Sequence, residues 1–182
     1  GFNSSISLDE GKTWTEFKRF WDNDSEMPII PIVAMASLTR LKENGEFVDK
    51  WMGIFHDHSF INYKTILTFN ENGDYNWSKP EPYLSEYREI ETYAGVCEVE
   101  CIRSNGGVGD ELCLITRCNK KTCTSLLIFS QDEGKTWSRP VEAPFALNGE
   151  RHKAEYTDDG RLFITFRSIE RDRKRVKKMR KL

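Results

Sequence analysis

Glu98, Arg117, Arg151 and Arg167, with Asp57 upstream, are the residues of this 182-residue chain best suited to chemistry. A guanidinium stays charged at any working pH and forks onto a carboxylate with two parallel hydrogen bonds. Several arginines delivered to one place would therefore hold an anionic ligand that carries a carboxylate. Carboxylates beside them add acid–base capacity, which glycosidic cleavage needs around an oxocarbenium-like centre. His56 and His58 flank Asp57 at alternate positions. Two imidazoles without a third ligand at suitable spacing read as hydrogen-bonded loop histidines, so no metal site is assigned and no cofactor is called for. All of this depends on elements that carry positions 57 to 167 to a common rim.

Those elements announce themselves through a repeat. Ser7-Leu8-Asp9-Glu10-Gly11-Lys12-Thr13-Trp14 returns as Ser130-Gln131-Asp132-Glu133-Gly134-Lys135-Thr136-Trp137. A worn copy, Asn70-Glu71-Asn72-Gly73-Asp74-Tyr75-Asn76-Trp77, lies between them. Trp14, Trp77 and Trp137 close the three copies, and a regular spacing of this length marks a repeat architecture. Each copy has the chemistry of a hairpin loop. The Ser or Asn side chain and the Asp carboxylate accept backbone N–H groups, Gly supplies positive φ, Thr restarts a strand and Trp anchors it. Ser7, Asp9, Gly11, Thr13 and Trp14, with Ser130, Asp132, Gly134, Thr136 and Trp137, are accordingly structural residues.

Between the phrases, short alternating segments read as strands. Cys97–Arg103, Glu111–Arg117 and Thr124–Ser130 form one antiparallel set, completed after the third phrase by a strand ending near Pro144. His152–Thr157 and Arg161–Arg167 begin the next, joined by the hairpin turn Asp158-Asp159-Gly160. The preceding set is expected at Ile29–Met35, Lys50–Phe55 and Asn62–Thr68, with Pro28 and Pro31 making its first strand irregular. Up-and-down parity then puts the Asp-containing phrases at one end of each set. The start of strand one and the end of strand two lie at the other. Asp57, Glu98, Arg117, Arg151 and Arg167 all fall at that second end.

The net charge is −2, but the last fourteen residues are strongly basic and leave the body at about −8, an ordinary acidic surface. The tail lacks aromatic interleaving, so nucleic acid is not expected as a partner. No apolar run approaches the ~20 residues of a membrane span. Cys97, Cys101, Cys113, Cys118 and Cys123 are odd in number and contain no C-x-x-C, which reads as buried free thiols. That chemistry suits a reducing compartment.

The phrase S-x-D-x-G-x-T-W resembles the Asp-box of sialidase-like β-propellers with Asp-box (BNR) repeats. Cys97-Glu98-Val99-Glu100-Cys101-Ile102-Arg103-Ser104 resembles that family's C-E-P-x-x-I-R-S, with Val99 where the family has proline. Gly149-Glu150-Arg151-His152 and Asp159-Gly160-Arg161-Leu162-Phe163-Ile164-Thr165-Phe166-Arg167 resemble its G-D-R-H and D-G-R-L-x-x-x-F-R, and Phe55-His56-Asp57 its F-H-D. The resemblance implies an all-β, six-bladed propeller when whole. Residues 1–168 would supply two complete blades and parts of two others, and 169–182 an exposed basic tail. Missing blades or a second copy would close the ring.

The resemblance further implies a retaining glycoside hydrolase that removes terminal sialic acid or a related acidic sugar from glycans. Glu98 would be the carboxylate that activates a tyrosine nucleophile, and Asp57 a stand-in for the general acid. Arg117, with Arg167 or Arg151, would belong to the arginine set that holds the sugar carboxylate. The tyrosine is expected after residue 182 and another arginine before Gly1, so the chain by itself is expected to lack part of the catalytic site. The family also suggests export to the periplasm or cell exterior, although no signal peptide is present here. The alternative is a non-catalytic propeller module that binds glycan or protein.

Overall fold

The computed structural model describes residues 2–20, 29–88, 90, 93, 95–120 and 123–169. The basic tail from residue 170 onward lies outside these. The described chain is all-β, with several antiparallel sheets and none closed on itself. No helix in it is long and apolar enough to cross a membrane.

Among the described residues thirteen strands fall into four successive units. The first is a two-stranded ribbon of β1 (Asn3–Ser4) and β2 (Lys18–Arg19), with the first Asp-box at its tip. The second contains β3 (Leu38–Glu43), β4 (Glu46–His56), β5 (Asn62–Phe69) and β6 (Tyr75–Trp77), with β7 (Glu81–Tyr83) pairing further along β5. The third is a four-stranded meander of β8 (Val96–Arg103), β9 (Leu112–Cys118), β10 (Leu126–Ser130) and β11 (Val141–Glu142). The fourth is the pair β12 (Gly149–Tyr156) and β13 (Leu162–Ser168).

The core sits between the second and third units. Leu112, Leu114, Leu126 and Ile128 are fully buried there with Met52 and Ile54, the alternation of β9 and β10 turning every second side chain inward. Four of the five cysteines are buried and Cys113 is half-buried. Burial pushes the thiols of Cys97, Cys101 and Cys113 up to about 12, so they stay protonated and inert.

Both intact Asp-boxes fold alike. Ser7 Oγ donates to Asp9 Oδ1 (2.9 Å) and accepts the Gly11 N–H (2.8 Å). Asp9 in turn accepts the Thr13 N–H (2.8 Å) and hydroxyl (2.7 Å). Ser130, Asp132, Gly134 and Thr136 repeat the set at 2.8, 2.9, 2.8 and 2.6 Å. The residue after each tryptophan adds a lock that the phrase does not advertise. The hydroxyls of Thr15, Ser78 and Ser138 accept the N–H of Ile6, Ile66 and Phe129 across the hairpin.

One expectation needs correction. The first strand of the second unit is Leu38–Glu43, not Ile29–Met35. Pro31 has no N–H to donate, so this stretch makes only an isolated bridge to Asp57 and one bond from Ile32 N–H to the His56 carbonyl. The worn phrase forms the expected hairpin, with Gly73 at positive φ (81°), but with a different length. β5 and β6 pair through Leu67, Thr68 and Phe69, and the turn is confined to Asn70–Asp74, capped by Asn70 Oδ1. Its hairpin is three residues longer than its neighbours, counted from Ile66 to Ser78 against Phe129 to Ser138. That insertion accounts for the unequal tryptophan spacing.

Candidate functional site

The rim opposite the second Asp-box is built from two matching irregularities. β8 and β9 pair at Cys97 and Arg117, then slip by one residue before pairing resumes at Glu100 and Ile115. β12 and β13 pair at Glu150 and Arg167, then slip before Lys153 and Thr165. The extra residue of each bulge, Glu98 (φ 48°) and Arg151 (φ 55°), sits in the left-handed region. Such a conformation in a non-glycine residue costs roughly 1–3 kcal/mol and persists where surrounding structure demands it. Here each bulge turns its side chain toward the rim. Glu133 of the second Asp-box meets Arg103 at the far end of β8, so Asp-box and rim occupy opposite ends of this unit.

The rim carries an alternating chain of charge. Arg117 bonds Glu98 Oε2 through Nη1 (3.1 Å) and Glu150 Oε1 through Nη2 (3.1 Å). Arg151 reaches Glu98 Oε1 (3.4 Å), and Arg167 bonds Glu150 Oε2. Three guanidiniums and two carboxylates leave one positive charge over. The carboxylate side chains are 10% exposed, whereas Arg151 and Arg167 are 67% and 65% exposed. Burial pulls the Arg117 pKa down, but hydrogen bonding to Glu98 and the charges of Glu98 and Glu150 outweigh it and raise it. The inner pair of acids thus holds the arginines in place, and the outer guanidiniums remain open to solvent.

Beside this chain lies a pocket of about 220 Å³, lined by apolar Val33, Ala34 and Ile54 and by Glu98, Arg151 and His152 among others. His56 also lines it. Each histidine has one ring nitrogen against a carbonyl: Nδ1 of His56 on Asp57 (2.8 Å) and Nε2 of His152 on Leu147 (2.9 Å). Each of those nitrogens donates, since a carbonyl only accepts. That leaves His56 Nε2 and His152 Nδ1 as buried acceptors without a hydrogen-bond partner among the described residues. Burial lowers the His152 pKa, which keeps the ring neutral.

The structure therefore brings Glu98, Arg117, Arg151 and Arg167 together. Asp57 stands apart: its Oδ1 accepts the N–H groups of Ser59 (2.8 Å) and Ile61 (2.9 Å) and so fixes the turn after β4. The pocket lining includes His56 but not Asp57. His58 is exposed while His56 is buried, so the two do not share a face. Sequence reading missed Glu150, the joint between Arg117 and Arg167. Its signal was register, because Glu150 faces Arg167 across the strands as Cys97 faces Arg117. Among the described residues no cluster of three metal-ligating side chains occurs.

Comparison with protein-family models and with curated proteins returns no match for this chain.

Proposed function

We propose that this rim binds a carboxylate-bearing sugar of a glycan, and that the chain is a portion of a sialidase-like, six-bladed Asp-box propeller that removes terminal sialic acid or a related acidic sugar. The observation that supports this most is the linked set Arg151–Glu98–Arg117–Glu150–Arg167, with its two outer guanidiniums exposed beside a pocket. An incoming carboxylate would compete with Glu98 and Glu150 for arginines already preorganised by strand register, which lowers the ordering cost of binding. The four consecutive antiparallel units, the first three of which carry a hairpin at the same phase of the repeat, support the propeller.

A specific observation also favours a binding module without hydrolysis. Both oxygens of Glu98 are occupied by arginines, Oε2 by Arg117 and Oε1 by Arg151. A carboxylate engaged in this way serves to position cations, and would have to release one of them to act as a base.

Titration with N-acetylneuraminic acid, followed by ligand-observed NMR, tests the shared part of both readings. Binding is expected for the parent and lost in Arg117→Ala. Binding that survives Arg117→Ala, or binding of neutral galactose equally well, rejects the assignment. Turnover of a fluorogenic sialoside separates enzyme from binding module.

A further inference from the structure

The turn after β4 and the segment that leads into β8 enclose another cavity, of about 230 Å³, at the same end of the second and third units as the arginine rim. Phe60 and Ile61 come from the turn, Tyr87 and Tyr93 from the segment, and Val96 opens β8. Asp57, which stands apart from the arginines, shapes this wall instead. Its Oδ1 takes the Ser59 and Ile61 N–H groups, and its carbonyl accepts the Phe60 N–H (3.1 Å). Phe60 and Leu84, both lining residues, hold φ at 60°. Such strain in non-glycine residues clusters at ligand sites.

The lining has the chemistry of a site for a hydroxylated ring. Phe60, Tyr83, Tyr87 and Tyr93 supply aromatic surface. Asn62 and Tyr83, which also line the cavity, are directly opposite one another across β5 and β7, so their side chains share a face. Asn62 spends its amide N–H groups on the carbonyls of Val96 (3.0 Å) and Phe60 (3.4 Å), which leaves Oδ1 as an acceptor. Burial raises the Tyr83 pKa, so its hydroxyl keeps its proton and can donate. Neither Oδ1 nor that hydroxyl has a hydrogen-bond partner among the described residues, although Asn62 is 5% exposed and Tyr83 7%. Folded proteins leave few buried polar groups in this state, because each forfeits its hydration. A ligand hydroxyl meets both needs, donating to Asn62 and accepting from Tyr83, whereas a carboxylate has no proton for Asn62. The volume lies below the ~300–1,000 Å³ of sites for drug-sized ligands and suits a single ring.

We infer that this cavity seats a neutral sugar ring, with its C–H face against the tyrosines and one hydroxyl between Asn62 and Tyr83. Ser85 and Arg88, both exposed in the lining, serve its remaining hydroxyls. The cavity adjoins the pocket beside the arginines. Val96 lines the one and Glu98 the other, two residues apart on β8 and so roughly 7 Å along the strand. Asn62 and His56, which also line one each, pair across β5 and β4. A glycan with its acidic sugar on the arginines would place the next, neutral sugar here. That link rests on the function proposed above; the recognition of a neutral ring rests on the cavity alone.

Titration of the full 182-residue chain with N-acetylneuraminic acid, sialyllactose and lactose, followed by ligand-observed NMR, tests the assignment. Sialyllactose is expected to bind about ten-fold tighter than the monosaccharide, with saturation transfer to a neutral ring, and lactose to bind weakly. Tyr83→Phe keeps the ring that packs on Trp137 and removes only the hydroxyl. It is expected to erase the gain and the lactose binding while N-acetylneuraminic acid binds as before. The thermal midpoint should not fall, because the group removed is buried and unpartnered. Equal affinity of the parent for sialyllactose and the monosaccharide overturns the proposal. So does a gain that survives Tyr83→Phe, or a lower midpoint with unchanged binding, which would assign the hydroxyl to the fold. The two sites fail separately. Tyr83-dependent lactose binding without any binding of N-acetylneuraminic acid supports the cavity and counts against the rim. Monosaccharide binding that Arg117→Ala abolishes, with no lactose binding, supports the rim and overturns the cavity.

Discussion

At the residue scale, Arg117 is the member of the rim whose removal has the largest consequence. Arg117→Met would leave Glu98 and Glu150, each 10% exposed, without the cation that joins them. Breaking a fully buried pair costs about 3–5 kcal/mol; Arg117 is 20% exposed, and Arg151 and Arg167 still reach the two acids, so about 2 kcal/mol is expected. Urea denaturation would read this as a lower midpoint at unchanged slope, and adding Glu98→Gln should recover part of the loss. His152 gives a pH signature. Its pKa is lowered in the fold by burial, so the unfolded chain binds the proton more readily. The contribution is complete above the ordinary histidine value of about 6.5 and is lost as pH falls through the lower folded value. Thermal midpoints are expected to decline below that pH, and His152→Asn or His152→Gln should flatten the decline.

At the element scale, the Asp-box hairpins make the same bonds in different surroundings. Asp132 secures a turn whose Trp137 is buried against Tyr83, whereas Asp9 secures one whose Trp14 is exposed. Asp132→Ala is therefore expected to destabilise the whole chain, by about 1 kcal/mol for the lost hydrogen bonds. Asp9→Ala should loosen only the first hairpin, a contrast that amide exchange resolves by location. The Asp9 carboxyl is held down to about 2 by its bonds to Thr13 and Ser7, so the first turn loses that support as pH falls from 3.8 through 2. These hairpins were legible in the sequence because Ser, Asp, Gly and Thr each perform a local task at a fixed offset. The strands of the third unit were legible too, since β8, β9 and β10 alternate cleanly and end in turn residues. Ile29–Met35 misled because its apolar residues resemble a strand, while Pro31 denies it the ladder. The rim was legible as a set of residues through parity. The bulges at Glu98 and Arg151 were not, because a one-residue slip leaves no compositional trace. Glu150 was hidden for the same reason: its role comes from pairing with Arg167, a relation between strands.

At the scale of the whole molecule, each pair of neighbouring units is joined by a different kind of contact. The first and second meet through aromatic rings, Phe20 on Trp77 and Phe2 on Phe55. The third and fourth meet through the fully buried Glu100, which takes the Lys153 ammonium (3.0 Å) and the Ala154 N–H (3.1 Å). The second and third are clamped by Arg103, whose side chain is 3% exposed. It forks onto Glu133 (2.8 and 2.5 Å) and donates to the Arg40 carbonyl (2.8 Å), while Glu133 accepts the Lys42 N–H (2.9 Å). One Asp-box side chain thus ties its own hairpin to β8 and to β3 of the neighbouring unit. Arg103→Met would leave the Glu133 charge, 17% exposed, without its cation, at a cost of about 2–3 kcal/mol, below that of a fully buried pair. The loss falls on an interface, so it should also change the form of unfolding. Calorimetry of the parent is expected to show one cooperative transition with calorimetric and van't Hoff enthalpies in agreement. In Arg103→Met the second and third units should melt separately, with a van't Hoff enthalpy clearly below the calorimetric one. Adding Glu133→Gln removes the stranded charge and should raise the midpoint without restoring the single transition, because the fork between the units is still gone. A double variant that regains full cooperativity would show instead that the apolar core shared by Met52, Ile54, Leu112 and Leu114 couples the units unaided.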